Sequence, residues 1–236
     1  MKTLFHPANS RGYADHGWLK SYHTFSFANY FDHERVNFGA LRVLNDDHVA
    51  GGMGFGKHPH KNMEIISIPL AGKLKHSDNM GNGGIIEPNQ IQVMSAGTGI
   101  VHSELNGSAH DPVKFLQIWV IPHTEEVTPR YDEIQLNAED SKNKFQQIVS
   151  PYPEDEGAWI HQNAWFHIGR FEKGKQNTYQ LQDPNNGVYA FLIDGKIKIE
   201  DQELSKKDGL GVWETSAFHI EILEDAHLLL MEVPMN

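Results

Sequence analysis

Apolar and polar side chains alternate in short runs along most of this chain. Thr24–Tyr30 alternates with aromatic residues and Val36–Leu44 with branched ones, with a polar turn between them. This is the pattern of half-buried strands. Ile65–Leu70 and Gly72–His76 follow, then Ile91–Met94 and Phe115–Ile121, which Pro122 stops. Ser77–Gly84 consists almost wholly of turn formers. Runs this short, set between turns and lacking helical periodicity, predict an all-β fold built as an antiparallel sandwich or barrel. Helix is expected only as a minor component, around residues 155–158 or near the N-terminus.

The stretch from His123 to about Leu136, with Pro129, Glu125 and Glu126, reads as a surface linker. Strands are expected again from Trp165–Phe171 to Met231. Pro69–His76 is echoed by Leu192–Ile199, each an apolar strand, a glycine turn and an alternating strand. The echo suits a duplicated β-domain, with residues 1–136 as the first copy and 137–236 as the second.

Composition narrows the chemistry. With no cysteine there is no disulfide framework, thiolate nucleophile or Cys-bound metal, whereas the fifteen histidines leave imidazole and oxygen as the available ligands. The net charge of -11 opposes attraction to phosphate backbones and anionic membranes, so no direct nucleic-acid partner is expected. Met1–Pro7 lacks the apolar run of a signal peptide and no stretch is apolar enough to span a bilayer. The chain reads as cytoplasmic.

The glycine-rich stretch Gly52–Gly56 leads into His58 and His60, two residues apart and so on one face of a strand. A second glycine-rich stretch, Gly97–Gly99, leads into His102 and Glu104 with the same spacing. Either pair alone is more often surface decoration than a site. Together they offer three imidazoles and a carboxylate to one divalent ion: iron, nickel, copper, manganese, cobalt or zinc. Four ligands on an octahedral ion leave two positions open for substrate or dioxygen. Glu64, four residues after His60, would share its face on a regular strand and is the alternative to Glu104.

The offset from Gly72 to Gly195 carries the histidine pair onto Leu181 and Asp183, and the second copy is expected to hold no metal, although His219 and Glu221 repeat the later spacing. His6, His16, His110, His123 and His161 are expected to face solvent, as are the acids at 154–156. Trp119, Trp165 and Trp213 are expected in the core.

These residues resemble a known family. Gly52, His58, His60, Glu64 and Gly72 resemble the first cupin motif with a spacer one residue longer than usual, and Gly97, Gly99, His102 and Asn106 resemble the second, with Gly97 in the place of a common proline. The wording of His23–Phe27, Phe55–His60 and Ser95–Glu104 is similar to that of the pirin family of bicupins, in particular its bacterial members. The likeness is dense from Gly12 to Pro122, and Gly157–Phe166 resembles the opening of the family's second domain. It implies two tandem antiparallel β-sandwich or jelly-roll barrels. It also implies one metal per chain, usually iron (Fe2+), at His58, His60, His102 and Glu104, with Glu64 outside the coordination sphere.

The resemblance implies quercetin 2,3-dioxygenase activity, as in bacterial relatives: ring opening of a small aromatic flavonol by dioxygen. Glu104, a carboxylate within reach of the substrate hydroxyl, is expected to leave the metal and act as the catalytic base. Eukaryotic pirins suggest the alternative, a non-enzymatic iron-dependent regulator acting through a protein partner. An isomerase is less favoured, since no basic cluster for phosphate flanks the ligands.

Overall fold

The computed structural model describes residues 1–235. It is nearly all strand, with short 3-10 turns at Ala8–Ser10 and Ala138–Ser141. The first lies near the N-terminus, where some helix was expected; residues 155–158 instead form a turn that ends in the short strand Ala158–Trp159.

The strands expected in the middle of the first copy are present as Glu64–Ala71, Leu74–Asp78, Gln90–Ser95 and Val113–Val120. Thr24–Tyr30 is not a strand. Phe27 and Tyr30 bridge across a tight turn with Ala28 at a φ of 50°, and the apparent alternation comes from aromatics sent to different places. The strand expected at residues 36–44 begins later and runs further, as Leu41–Val49. The linker reading of residues 123–136 needs correction too, because Arg130–Gln135 pairs in register with Gln90–Ser95.

Three sheets form the molecule. A seven-stranded sheet, with Val113–Val120 between Glu64–Ala71 and Leu41–Val49, is the middle layer. On one face, Leu19, Val49, Val113 and Phe115 pack against Leu74 and Ile86 of a four-stranded sheet. On the other, Leu44, Ile66, Leu116 and Ile118 pack against Phe166, Tyr189, Phe191 and Leu229 of a nine-stranded sheet. Alternation sends successive side chains to opposite faces. A strand covered on both sides therefore reads as a nearly unbroken apolar run, as Ile65-Ile66-Ser67-Ile68 does.

The nine-stranded sheet encloses a second core that includes Val188, Leu192, Leu204, Phe218 and Leu230. Its long strands, Asn186–Ile199 and Ala217–Pro234, shift register around Gly195, and such bulges bend a sheet on itself. Gly195 has a φ of 92°, and a Cβ there would lie 2.1 Å from the Asp225 carbonyl oxygen. Gly72 is alike, at 78° and 2.6 Å from the Pro112 carbonyl oxygen, so the echo between the two halves marks the same kind of close backbone crossing. Among the described residues, pairing between strands is antiparallel except between Gln146–Ser150 and Ala158–Trp159, and the isolated Lys142–Arg170 bridge is parallel too.

The two halves are interleaved at the chain ends. Lys2–His6 pairs with Gly209–Trp213 at the edge of the nine-stranded sheet, and the Ala40 amide donates to the Pro234 carbonyl at 2.8 Å. His6, expected in solvent, is buried there with its Nδ1 2.8 Å from the Tyr189 hydroxyl. Burial lowers its pKa to about 4. The acids at 154–156 are exposed as expected. Trp165 is buried and Trp213 is half-buried against the core.

Candidate metal centre

Gly54–His60 and Ile100–Asn106 are neighbours in the four-stranded sheet. Their antiparallel register sets His102 opposite His58, with Ile100 opposite His60. The glycines before the first pair serve this approach, since a Cβ at Gly54 would lie 2.5 Å from the Glu104 carbonyl oxygen. His58, His60 and His102 thereby converge, with ligand atoms all within 4.8 Å of one another. The His58 and His102 rings are 4.4 Å apart between centroids.

The surroundings leave these imidazoles free to ligate. His58 Nδ1 donates to the Gly56 carbonyl at 2.7 Å, which presents Nε2 as the ligand atom. Both nitrogens of buried His102 lack a hydrogen bond. Burial, followed by the charges of neighbouring histidines, lowers the pKa of His60 to about 4 and of His102 to about 3. Both are neutral at pH 7, with lone pairs available. A buried imidazole with no protein partner, between two others, fits a divalent ion.

Glu104 shares the His102 strand, but a register shift falls between the two residues. Its Oε1 accepts from Ser67 Oγ at 2.8 Å and its Oε2 from Gln117 Nε2 at 2.6 Å. Burial pushes its pKa up to about 7 against the pull of these two bonds. Glu64 occupies a different setting. The strand of His60 ends there, Asn62 turns the chain with a φ of 49°, and Glu64 opens a strand of the seven-stranded sheet. The regular-strand assumption that put Glu64 on the His60 face therefore fails. Its Oε2 accepts from Ser95 Oγ at 2.6 Å.

Burial likewise pushes the Glu64 pKa up to about 7, against the opposing bonds from Ser95 and the His161 backbone. An acid whose folded pKa is raised binds its proton more tightly in the folded state, so its contribution weakens as pH rises from the ordinary value near 4.5 to about 7. Glu64→Gln is expected to leave stability unchanged near pH ~4 and to raise it by ~1–3 kcal/mol near pH ~8. Urea unfolding at the two pH values measures this, and a variant less stable at the higher pH would contradict it.

His58, His60 and Glu104 open onto a cavity of about 420 Å³ between the four- and seven-stranded sheets. Phe27, Tyr30 and Phe55 give it aromatic walls, and Trp119 stands edge-on to His60 at 4.9 Å. Trp119, expected in the core, thus lines the site. Ser21, His23, Asn45 and Asp47 form a polar wall, in which Ser21 Oγ donates to Asp47 and Asn45 Oδ1 lies 2.9 Å from His23 Nδ1. Burial raises the Asp47 pKa to about 7, with the Glu104 charge adding to the rise. Sequence reasoning missed this wall. Its signal was the polar run Asn45-Asp46-Asp47-His48 directly after the apolar Val43-Leu44 of the same strand.

Among the described residues, this histidine trio is the one such metal-ligating group. In the second half, the Tyr179 hydroxyl bonds Glu232 at 2.9 Å and His167 Nδ1 at 3.1 Å, so these buried polar groups satisfy one another. No helix is long and apolar enough to cross a membrane among the described residues.

Comparison with known proteins agrees with this architecture. The Pirin family model matches residues 5–120, and a model described as the quercetinase C-terminal cupin domain matches residues 147–233. The chain is 40% identical over 227 residues, 96% of each chain, to a protein of Escherichia coli K12 named quercetin 2,3-dioxygenase. It is 37% identical over 227 residues to a pirin-like protein of Caulobacter vibrioides, covering 96% of this chain and 97% of that one. Among solved structures, bacterial pirin YhhW from Escherichia coli in complex with nickel(II) superposes with a TM-score of 0.94 at 37% identity, covering 100% of both chains.

Proposed function

Because the chain belongs to the pirin family, we propose that it is a metal-dependent quercetin 2,3-dioxygenase, opening the ring of a flavonol such as quercetin with dioxygen at one mononuclear site. The observation that carries the reading is the convergence of three imidazoles, with His102 buried without a hydrogen-bond partner and His58 and His60 at the wall of an aromatic cavity. His58, His60, His102 and Glu104 are the proposed ligands and Fe2+ the proposed ion. The nickel(II) in the related YhhW structure supports a divalent ion without choosing among metals. When bound, such an ion lowers the pKa of a hydroxyl coordinated to it.

The protein's own groups do the rest. A cavity of about 420 Å³ suits a fused-ring molecule. Phe27, Tyr30 and Trp119 would hold its faces and edges, while Asn45, Asp47 and His23 orient its hydroxyls. Glu104 would take the proton of the substrate hydroxyl at a carboxylate oxygen. Ser67 and Gln117 keep the carboxylate from rotating as its charge changes.

The test is oxygen uptake with quercetin by the iron-loaded protein. Glu104→Gln should lower kcat about 10²–10⁴-fold, the usual contribution of a positioned base. Turnover absent with iron, nickel, copper and manganese alike, or undiminished in His58→Ala, would overturn the assignment. Elemental analysis should find one metal per chain.

A further inference from the structure

A second cavity lies on the opposite face of the middle sheet, between that sheet and the second half of the chain. Its volume is about 1070 Å³, more than twice that of the metal-side pocket and at the upper end of ligand sites. The two cavities share strands but not side chains. On Leu41–Val49, Asn45 and Asp47 face the metal side, while Asp46 and His48 line the cleft. On Leu19–His23, Ser21 and His23 face the metal side and Tyr22 the cleft.

Two observations mark the cleft as more than a seam. The first is charge. In a chain with 31 acids and 20 cations, the cleft gathers six cations, Arg11, Lys114, Lys142, Arg170, Lys206 and Lys207, against five acids. Asp46 and Asp194 among those acids are already paired, with Lys207 and Lys206 respectively, each at 3.0 Å. Lys114, Lys142 and Arg170 pair with no carboxylate among the described residues. The second is hydrogen bonding. Of nine buried side-chain atoms without a hydrogen bond among the described residues, four belong to residues that line this cleft: Arg11 Nη1, Gln146 Oε1, His227 Nε2 and Asp46 Oδ1, the last with His48 Nε2 at 3.5 Å.

Arg11 carries most of the weight. Its side chain is 7% exposed, and Nη1 reaches no closer than 3.5 Å to Asp46 Oδ2. Its guanidinium lies over the Tyr22 ring at 4.9 Å. A guanidinium this deeply buried is costly unless its N–H groups are used, and it matches carboxylate or sulfonate oxygens in shape. Around these polar groups the cleft is apolar, lined by Ile68, Leu70, Leu136, Ile168 and Ile193.

We propose that this interdomain cleft is a second ligand site, separate from the metal centre, that takes an organic anion: a carboxylate-type group on an apolar aromatic or aliphatic body. The anionic group would meet Arg11 and Arg170, and the body would lie along the isoleucine and leucine wall.

The probe is 8-anilinonaphthalene-1-sulfonate, a fused aromatic body with one sulfonate, titrated by fluorescence into the metal-loaded protein at low ionic strength. Saturable binding of one probe per chain is expected, displaced by naphthoate and not by uncharged naphthamide. The double variant Lys114→Glu/Arg170→Glu changes two exposed side chains at the mouth and should weaken binding at least tenfold without changing the melting temperature. Trp119→Ala, in the other cavity, should bind as the parent does. Absence of saturable binding, equal binding by the double variant, displacement by naphthamide as readily as by naphthoate, or loss of binding in Trp119→Ala would each overturn the proposal.

Discussion

His102→Ala is expected to empty the metal centre, lowering bound metal from one ion per chain to below about a tenth and oxygen uptake with quercetin at least ~100-fold. Changes merely beside a ligand cost about 10–100-fold in metal affinity or activity, so loss of a ligand sits at or beyond the top of that range. His102 is the most committed of the three, buried opposite His58 with neither nitrogen hydrogen-bonded. The same isolation gives the experiment an internal control. Without metal, the variant exchanges a cavity for the relief of two desolvated nitrogens, worth about 1–3 kcal/mol each, so its melting temperature should lie close to that of the metal-free parent. Adding metal should then stabilise the parent by about 4 kcal/mol at a thousandfold excess over Kd and leave the variant unchanged. A variant that keeps its metal and its turnover would remove His102 from the site.

The second large effect is on stability. Asp46→Asn is expected to cost about 3–5 kcal/mol, because it leaves two buried cations without their shared counter-charge, and to lower the melting temperature by about 10 °C. The carboxylate is 3.0 Å from Lys207 Nζ and 3.5 Å from Arg11 Nη1, and joins the middle sheet to the second half of the chain. Burial alone would raise its pKa, but His48, Lys207 and Arg11 outweigh that and hold it well below the usual range. A depressed folded pKa means the contribution is complete above the ordinary carboxylate value and fades as pH falls through the lower folded value. The deficit of the variant should thus be constant from about pH 7 to about pH 5 and shrink below about pH 4. Calorimetry across that range tests it, and a deficit that grows on acidification would refute the ion-pair account. Asp47, its neighbour, behaves in the opposite sense, because it is buried on the other face without a cation.

Much of this was legible from residue order alone. Spacing of two in His58-Pro59-His60 and His102-Ser103-Glu104 fixes which side chains share a face, and glycines before each pair signal close backbone approach. What residue order does not carry is which face of a strand meets which neighbour when both faces are covered. Trp119 therefore reads as core from its apolar setting in Phe115–Ile121, whereas it lines the cavity beside His60. The Glu64 alternative arose from the same gap, since four residues span one face only if the strand continues, and Asn62 ends it. Thr24–Tyr30 shows the converse: alternation without a strand, because Phe25 enters the interdomain core and Phe27 the cavity. Arg130–Gln135 was hidden by the proline and acids before it, which mark the approach to a strand as readily as a linker.

Lys2–His6 closes the edge of the nine-stranded sheet from the far end of the chain, and the backbone near Gly39 is tied to Pro234. The two halves look like copies in their glycine-turn echo, yet they are no longer exchangeable modules. A recombination joint placed near residue 136 would hand on one sheet stripped of its border strand and leave that strand stranded in the other product. The crossing of its first few residues makes the two parts heritable only together.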